Sequence, residues 1–189
     1  MYIVKAFNNG KLHEYEYDTF NHAQEQYNWE KSAEIWLVEN GKMMLIKEKG
    51  DTHTGPEKLV ELAKEAMTHA YAPYSGYKVG AALLCADGTV YQGCNIENSA
   101  YGPTNCAERT AFFKAVYDGH RDFVSIAVCG GKDGIITGSF PPCGVCRQVM
   151  REFCEDDFVI HMINEKGFDS CTLAQILPYS FSAREYMQE

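Results

Sequence analysis

Apolar and polar residues alternate along two stretches near the start of the chain. Residues 2–17 read YIVKAFNNGKLHEYEY and residues 33–48 read AEIWLVENGKMMLIKE, each with one Asn-Gly pair inside. A period of two is typical of half-buried strands, and Asn-Gly favours the two-residue turn of a hairpin. Between them, Asp18 or Thr19 is placed to cap a short helix that ends near Trp29. The pattern predicts a hairpin–helix–hairpin unit of the α+β class over residues 1–52.

The pattern changes after a polar linker at Lys49–Pro56. Apolar residues then recur at helical spacing from Pro56 to Ala70. Two apolar runs on either side of Asp87-Gly88 predict another hairpin. The stretch CAERTAFFKAVYDG predicts a helix that ends at Gly119, and FVSIAVCGG predicts a buried strand.

The C-terminal part continues the alternation of strands and helices. A helix is predicted from about Cys143 to Cys154, and DFVIHMI and FDSCTL are expected to pair as antiparallel strands across NEKG. LAQILP then predicts a short final helix. Alternating elements of this kind favour a central sheet that is covered by helices. We therefore assign residues 53–189 to a second, α/β domain.

Composition and charge argue against several classes of partner. The chain has 189 residues, a formal net charge of −9 and a sequence pI of about 5.1. This charge repels polyanions and the basic residues are scattered, so we expect no nucleic-acid partner. No run approaches the roughly 20 apolar residues of a membrane span, and the N-terminus lacks the features of a signal peptide. We therefore expect a cytoplasmic protein with reduced thiols and no membrane partner.

Eight cysteines in such a chain indicate metal binding or catalysis for some of them. Cys143 and Cys146 have the spacing with which two sulfurs reach one zinc ion, although redox dithiols share this spacing. Cys106 lies at another predicted helix start. The positive end of a helix dipole stabilises a thiolate, so we expect two helices to bring three thiolates to one ion.

Glu108 follows Cys106 by two residues, in the first turn of the predicted helix. Three protein ligands and one open position are typical of catalytic zinc, which acidifies water at the open position. Glu108 is placed to take that proton and pass it on. Because three thiolates outweigh the charge of Zn²⁺, we expect Arg109 to compensate. With cysteine as the first ligand, Cys-x-Glu and Pro-Cys-x-x-Cys match the pattern of zinc-dependent base deaminases.

Less specific interpretations stay open from the residues alone. The three cysteines could be core residues, or they could form a closed structural zinc site with Cys94 or Cys129 as fourth ligand. Glu108 could be a favourable charge in the first turn of a helix. The remaining cysteines are interpreted as small core residues, and all six histidines as structural or solvated.

Four stretches resemble, in order, the signature sequences of homotetrameric cytidine deaminases. They are APYSGYKVGAALL at 72–84, GCNIENSAYGPTNCAERTA at 93–111, PPCGVCRQVMREF at 141–153 and LPYSF at 177–181. The resemblance extends from about Pro56 to the C-terminus. Its joint Cys-Ala-Glu and Pro-Cys-Gly-x-Cys-Arg-Gln pattern is highly specific. The first 52 residues lie outside it.

The resemblance implies a role for each matched position. It implies one Zn²⁺ per chain, with Glu108 as the proton shuttle. The implied zinc ligands are Cys106, Cys143 and Cys146. The implied substrate-binding residues are Tyr77, Asn95, Glu97, Tyr101, Ala107 and Phe181. Among these, Asn95 and Glu97 are expected to hold a ribose hydroxyl. Phe181 is expected to cover the substrate's base in the active site of a neighbouring subunit. The family usually has Phe at the position of Tyr77.

The same resemblance implies a three-layer α/β/α fold with a mixed central sheet and a homotetramer with shared active sites. It implies hydrolysis of cytidine and deoxycytidine to uridine and deoxyuridine, with release of ammonia, in pyrimidine salvage. Three alternatives stay open: deamination of a cytosine-bearing antibiotic nucleoside, editing of RNA or DNA, and a silent zinc-binding scaffold. The acidic chain counts against editing, because a nucleic-acid surface requires basic residues.

Overall fold

The N-terminal strands form one antiparallel sheet. In the computed structural model, which describes residues 1–8, 11–19, 23, 33–39, 42–49 and 54–182, its strand order is β2-β1-β3-β4. The strands are β1 (Tyr2–Asn8), β2 (Lys11–Tyr17), β3 (Ala33–Glu39) and β4 (Lys42–Lys49). Both predicted hairpins are present, and pairing of β1 with β3 joins them. The predicted helix between Asp18 and Trp29 lies mostly outside the described residues.

A second sheet has five strands in the order β6-β5-β7-β8-β9. The strands are β5 (Tyr77–Cys85), β6 (Val90–Cys94), β7 (Phe123–Lys132), β8 (Val159–Asn164) and β9 (Gly167–Thr172). β7 and β8 are parallel, and the other neighbours are antiparallel, so the sheet is mixed as predicted. The Asp87-Gly88 turn closes the β5–β6 hairpin, and Gly88 has a φ of 88°, in the left-handed region that glycine adopts without strain.

Helices cover both faces of this sheet. They are α1 (Pro56–Met67), α2 (Ala107–Tyr117), α3 (Gly144–Phe153) and the short α4 (Leu173–Ile176). Alternate residues of β5 belong to two separate cores: Leu83 packs with residues of α2 and α3, whereas Ala82 packs with residues of α1. The predicted three-layer α/β/α fold is therefore confirmed. Among the described residues, no helix combines the length and apolar composition needed to cross a membrane.

Two glycines allow helices to approach the sheet closely. A Cβ atom on Gly80 of β5 would lie 2.1 Å from the carbonyl oxygen of Ala63 in α1. A Cβ atom on Gly93 of β6 would lie 2.3 Å from the carbonyl oxygen of Ala107 in α2. The second contact fixes the start of α2 directly against the sheet, and the candidate site is built at that start.

Candidate active site

The three predicted ligands lie at the N-termini of two helices. Cys106 is the N-cap residue of α2, Cys143 is the N-cap residue of α3, and Cys146 follows in the first turn of α3. Neither N-cap thiol bonds to its own helix. The helices α2 and α3 pack on the same face of the sheet, and their N-termini lie next to each other. The Sγ atom of Cys143 is 3.8 Å from that of Cys106 and 3.6 Å from that of Cys146.

These distances match the geometry of a zinc site. Two sulfurs that each lie about 2.3 Å from a tetrahedral zinc ion are roughly 3.8 Å apart. The donor atoms that lie within 4.8 Å of one another at this place are the three sulfurs, and no carboxylate of the described residues joins them. The thiol of Cys94 instead donates to the carbonyl oxygen of His69, and the thiol of Cys129 contacts the sulfur of Met67. A closed structural site would require one of these two cysteines as its fourth ligand. Neither thiol lies with the three sulfurs, so the closed site is not formed.

The thiol cluster favours a thiolate at Cys106. A hydrogen bond from Cys146 and the nearby Arg109 guanidinium lower the pKa of Cys106 to about 5, although burial opposes this. Arg109 Nη2 lies 3.7 Å from Cys106 Sγ and also donates to the carbonyl oxygen of Thr104 at 3.0 Å. A metal ligand must be deprotonated, so this environment prepares Cys106 to bind a cation.

Glu108 lies beside the thiols in the first turn of α2, and only 3% of its surface is exposed. Burial raises the pKa of Glu108 to about 7, and the negative charge of Cys106 adds to this increase. A carboxyl group with such a pKa can gain and lose a proton near neutral pH. The arrangement suits a proton shuttle next to a metal site.

Asn95 lies on the strand-like segment after β6 and is buried. Its Oδ1 accepts a hydrogen bond from the backbone N–H of Val79 at 2.8 Å, and its Nδ2 donates to the carbonyl oxygen of Tyr77 at 2.9 Å. The amide is therefore held in one orientation by β5. Each polar atom of the amide keeps one further hydrogen-bonding position for a ligand.

Glu97 is fixed by a loop that precedes β5. Its Oε2 accepts hydrogen bonds from the backbone N–H groups of Tyr74 at 2.9 Å and Ser75 at 3.2 Å, and its Oε1 accepts one from the Ser75 hydroxyl. The Ser75 hydroxyl is the main reason that the pKa of Glu97 is lowered, although burial opposes this effect. The carboxylate thus stays charged and oriented, as a group that binds a hydroxyl must.

A cleft of about 330 Å³ opens beside Glu97. It is lined by Tyr74, Ser75, Glu97, Asn98, Tyr101 and Thr104. Arg109 bonds to Thr104, so the cleft and the thiol cluster share one backbone segment. Ala107 is fully buried at the start of α2. The geometry thus brings the predicted sugar-binding residues and the predicted ligands to neighbouring segments.

The three aromatic side chains that are predicted to contact the substrate are exposed in the single chain. The exposed fractions of Tyr77, Tyr101 and Phe181 are 48%, 79% and 67%. The Lys132 ammonium lies 5.7 Å from the centre of the Tyr77 ring. Gln148 of α3 donates to the carbonyl oxygen of Phe181 at 3.0 Å, which places the backbone of Phe181 near that helix.

Arg147 is a residue to which the sequence analysis assigned no role. Its Nε donates to the carbonyl oxygen of Pro142, and its Nη1 donates to that of Ile176, both at 2.7 Å. These bonds hold the segment before Cys143 against the end of α4. The only signal in the sequence was its place directly after Cys146 in the Cys-Arg-Gln motif.

Comparison with known proteins agrees with this geometry. Residues 54–162 match the family described as the cytidine and deoxycytidylate deaminase zinc-binding region. This chain belongs to that family. The matched region contains the three cysteines and Glu108, and Zn²⁺ is the cofactor. The resemblance seen in the sequence is thereby confirmed.

Named relatives are similar over about two thirds of the chain. A cytidine deaminase of Sporosarcina psychrophila is 52% identical over 130 residues, covering 68% of this chain and 93% of the relative. A cytidine deaminase of Halalkalibacterium halodurans is 48% identical over 128 residues, covering 67% and 94%. The crystal structure of cytidine deaminase from Burkholderia pseudomallei is 44% identical, with a TM-score of 0.63, covering 68% of this chain and 100% of that chain.

Proposed function

We propose that this chain catalyses the hydrolytic deamination of cytidine and deoxycytidine to uridine and deoxyuridine, with release of ammonia. The observation that carries the proposal is the convergence of three thiols, two pairs of which are 3.8 and 3.6 Å apart, beside a buried carboxyl group. We assign Cys106, Cys143 and Cys146 as the ligands of one Zn²⁺ per chain. Membership of the family and the named relatives support the substrate class.

Zn²⁺ held by Cys106, Cys143 and Cys146 would supply Lewis-acid activation of water near neutral pH. Glu108 would accept a proton from the attacking water and deliver it to N3 of the pyrimidine as oxygen bonds to C4. It then moves a second proton from the added oxygen to the amino group. The C4–N bond breaks, ammonia leaves and the C4 carbonyl of the product forms, so one water is consumed for each ammonia released. A carboxyl group that serves both transfers contributes about 10²–10⁴-fold to the rate.

The remaining site residues position the substrate. Asn95 and Glu97 are held by backbone hydrogen bonds before any ligand arrives, which reduces the cost of ordering them around a sugar hydroxyl. We assign Tyr77 to one wall of the pyrimidine pocket. Because the Ala107 side chain is buried, Ala107 acts through its backbone at the helix start.

We further propose a homotetramer with shared active sites. Tyr101 and Phe181 expose large aromatic surfaces although both belong to the proposed site, and contact with a neighbouring subunit would cover them. Sedimentation analysis of the purified chain tests this assembly: four chains per particle are expected, and a monomer that is fully active would contradict it.

The proposed division of the chain places a small N-terminal domain at 1–52 and the catalytic domain at 53–189. The family match begins at residue 54, and the named relatives match about two thirds of the chain. We assign the activity to pyrimidine salvage in the cytoplasm. The low sequence pI and the free-nucleoside site argue against a nucleic-acid substrate.

The direct test is an ultraviolet or ammonia assay of the purified full chain with cytidine and with deoxycytidine, combined with a zinc count. We expect turnover of both nucleosides by protein that contains zinc. The control is the Cys143→Ser variant, which should lose the zinc ion of this three-cysteine site and turnover together. Full zinc content without ammonia release from either nucleoside would contradict the proposal and would favour a silent scaffold or another cytosine-bearing substrate.

A further inference from the structure

A second group of metal-ligand side chains lies outside the proposed active site. Cys85, Asp87 and His120 bring a sulfur, a carboxylate oxygen and a ring nitrogen within 4.8 Å of one another. The Nδ1 atom of His120 is 3.4 Å from Oδ2 of Asp87. From the sequence, the cysteine was interpreted as a core residue and the histidine as structural or solvated, because no local spacing connects them. The fold brings them together.

The three residues are carried by segments that are held in place by backbone hydrogen bonds. Cys85 ends β5, and its N–H donates to the carbonyl oxygen of Thr89 at 2.8 Å across the hairpin turn. Oδ1 of Asp87 accepts from the Thr89 N–H at 3.0 Å, which leaves Oδ2 directed toward His120. The N–H of His120 donates to the carbonyl oxygen of Ala115 at 3.0 Å, after the last turn of α2.

The turn and the loop are also joined directly to each other. The N–H of Ala86 donates to the carbonyl oxygen of Asp122 at 2.9 Å, and the Tyr91 ring packs edge-on against the His120 ring with 5.3 Å between centroids. The cluster is therefore preorganised on both sides. This rigidity matters because a binding site formed in advance loses less conformational entropy when a ligand binds.

Mixed sulfur, nitrogen and oxygen ligands identify the class of cation. Thiolate and imidazole favour zinc and neighbouring divalent transition metals over Mg²⁺ and Ca²⁺, which prefer oxygen ligands. A nitrogen and an oxygen that each lie about 2.0–2.1 Å from a tetrahedral zinc ion are roughly 3.3–3.4 Å apart. The observed 3.4 Å between Asp87 and His120 fits this spacing. Cys85 is buried, whereas Asp87 and His120 are partly exposed and leave a route for the ion.

We propose that Cys85, Asp87 and His120 form a second binding site for a zinc-type divalent cation. The site clips the β5–β6 turn to the loop after α2. It lies beyond the opposite end of α2 from Cys106, and a helix of 11 residues is about 16 Å long. The ion there is a structural clip, separate from the proposed catalytic zinc, with its fourth position filled by water.

The experiment counts zinc in the full-length protein after dialysis at a fixed micromolar concentration of free Zn²⁺. The test variants are His120→Gln and Asp87→Asn, since an asparagine oxygen still accepts the Thr89 N–H and keeps the turn. The matched control is His69→Gln, which changes an exposed histidine away from both clusters. Cytidine turnover is measured on the same samples.

We expect two zinc ions per chain in the unmodified protein and in His69→Gln, and one in His120→Gln and Asp87→Asn. Turnover by both test variants should stay within about two-fold of the unmodified protein, because neither residue belongs to the proposed active site. In the Co²⁺-loaded protein, the band from sulfur-to-cobalt charge transfer should weaken in His120→Gln without disappearing. One zinc per chain in the unmodified protein, or two in His120→Gln, would overturn the second site. A lack of turnover in every sample, with these counts intact, would instead contradict only the proposed function.

Discussion

Arg109 shows how one side chain supports both the charge and the shape of the candidate site. Three thiolates exceed the charge of one Zn²⁺, and the Arg109 guanidinium lies beside Cys106. The same group bonds to the Thr104 carbonyl, in the segment that lines the cleft next to Glu97. Its Nε is buried and makes no hydrogen bond within the described part of the chain.

Replacing Arg109 should therefore weaken metal binding first. We expect Arg109→Ala to reduce zinc affinity by about 10–100-fold, as is common when a group that orients a ligand is removed. Arg109→Lys should have a smaller effect, because lysine keeps the positive charge although it loses the joint contact with Thr104 and Cys106. Competition with a chromophoric chelator measures both variants. Equal affinity in Arg109→Ala and the unmodified protein would show that Arg109 does not support the ligands.

His161 makes the stability of the folded protein depend on pH. It is buried on β8 and its Nδ1 lies 2.8 Å from the Ser170 hydroxyl. Burial lowers the pKa of His161 below its ordinary value of 6.5, although the charge of Glu57 opposes this. The unfolded chain therefore binds this proton more readily than the folded chain. Stability from this residue is complete above pH 6.5 and is lost as the pH falls toward the folded-state pKa.

Urea unfolding at a series of pH values tests this expectation. The free energy of unfolding should fall less between pH 7 and pH 5 in His161→Gln than in the unmodified protein. The control is His69→Gln, in which an exposed histidine is replaced and the pH dependence should not change. If the free energy of unfolding changes with pH in the same way in all three proteins, His161 does not cause the pH dependence.

Local spacing in the sequence predicted the grouping of those candidate site residues that lie close together along the chain. Cys106 and Glu108 share one helical turn, and Cys143 and Cys146 share another, so their spacing carries the information. The contacts of Ser75 with Glu97 join segments 22 residues apart. Such contacts depend on the folded sheet, and no local pattern encodes them.

At the scale of elements, Gly93 determines how closely α2 approaches β6. The start of α2 carries both Cys106 and Glu108, so its distance from the sheet sets the geometry of the candidate site. A side chain at Gly93 would meet the carbonyl oxygen of Ala107 at 2.3 Å and the nitrogen of Ala111 at 2.5 Å. Both atoms belong to helix backbone and cannot rotate away.

We expect Gly93→Ala to destabilise the protein by about 1–3 kcal/mol, the usual effect of overpacking. It should also lower cytidine turnover, because the start of α2 must move. Gly138→Ala is the control, since among the described residues no heavy atom beyond its two chain neighbours lies within 4 Å of a Cβ at that position. Urea unfolding and the nucleoside assay measure the two effects. A Gly93→Ala variant as stable as Gly138→Ala would contradict the close contact.

Most elements were predictable because their hydrophobic periods are regular. The helix from Pro56, the hairpin around Asp87-Gly88 and the β8–β9 pair all agree with the sequence analysis. The pairing of β1 with β3 was not predicted. Each hairpin is recognisable from its own turn, whereas the pairing between hairpins depends on which edges the folded unit brings together.

At the scale of the whole molecule, the match to the deaminase family covers one part of the chain. The family match covers residues 54–162, and the four-stranded N-terminal sheet precedes it. The five-stranded sheet has its own two cores, one on each face. A domain with a complete core is expected to fold without the sheet that precedes it.

A chain that consists of residues 53–189 should therefore keep zinc and the turnover of the full-length protein. The reason is that every residue assigned to the site lies within this range. The measurement is the nucleoside assay on the truncated and full-length proteins, with circular dichroism as the control for folding. A folded truncated chain that binds zinc but has lost activity would show that residues 1–52 belong to the catalytic unit.

The central claim is that Glu108 relays protons beside a zinc ion held by three cysteines. The most direct measurement is cytidine turnover by Glu108→Gln, with zinc content determined on the same sample and the exposed Glu61→Gln as control. The account predicts unchanged zinc and a loss of turnover of about 10²–10⁴-fold in Glu108→Gln, with neither change in Glu61→Gln. A Glu108→Gln variant that holds zinc and deaminates cytidine at the rate of the unmodified protein would contradict it.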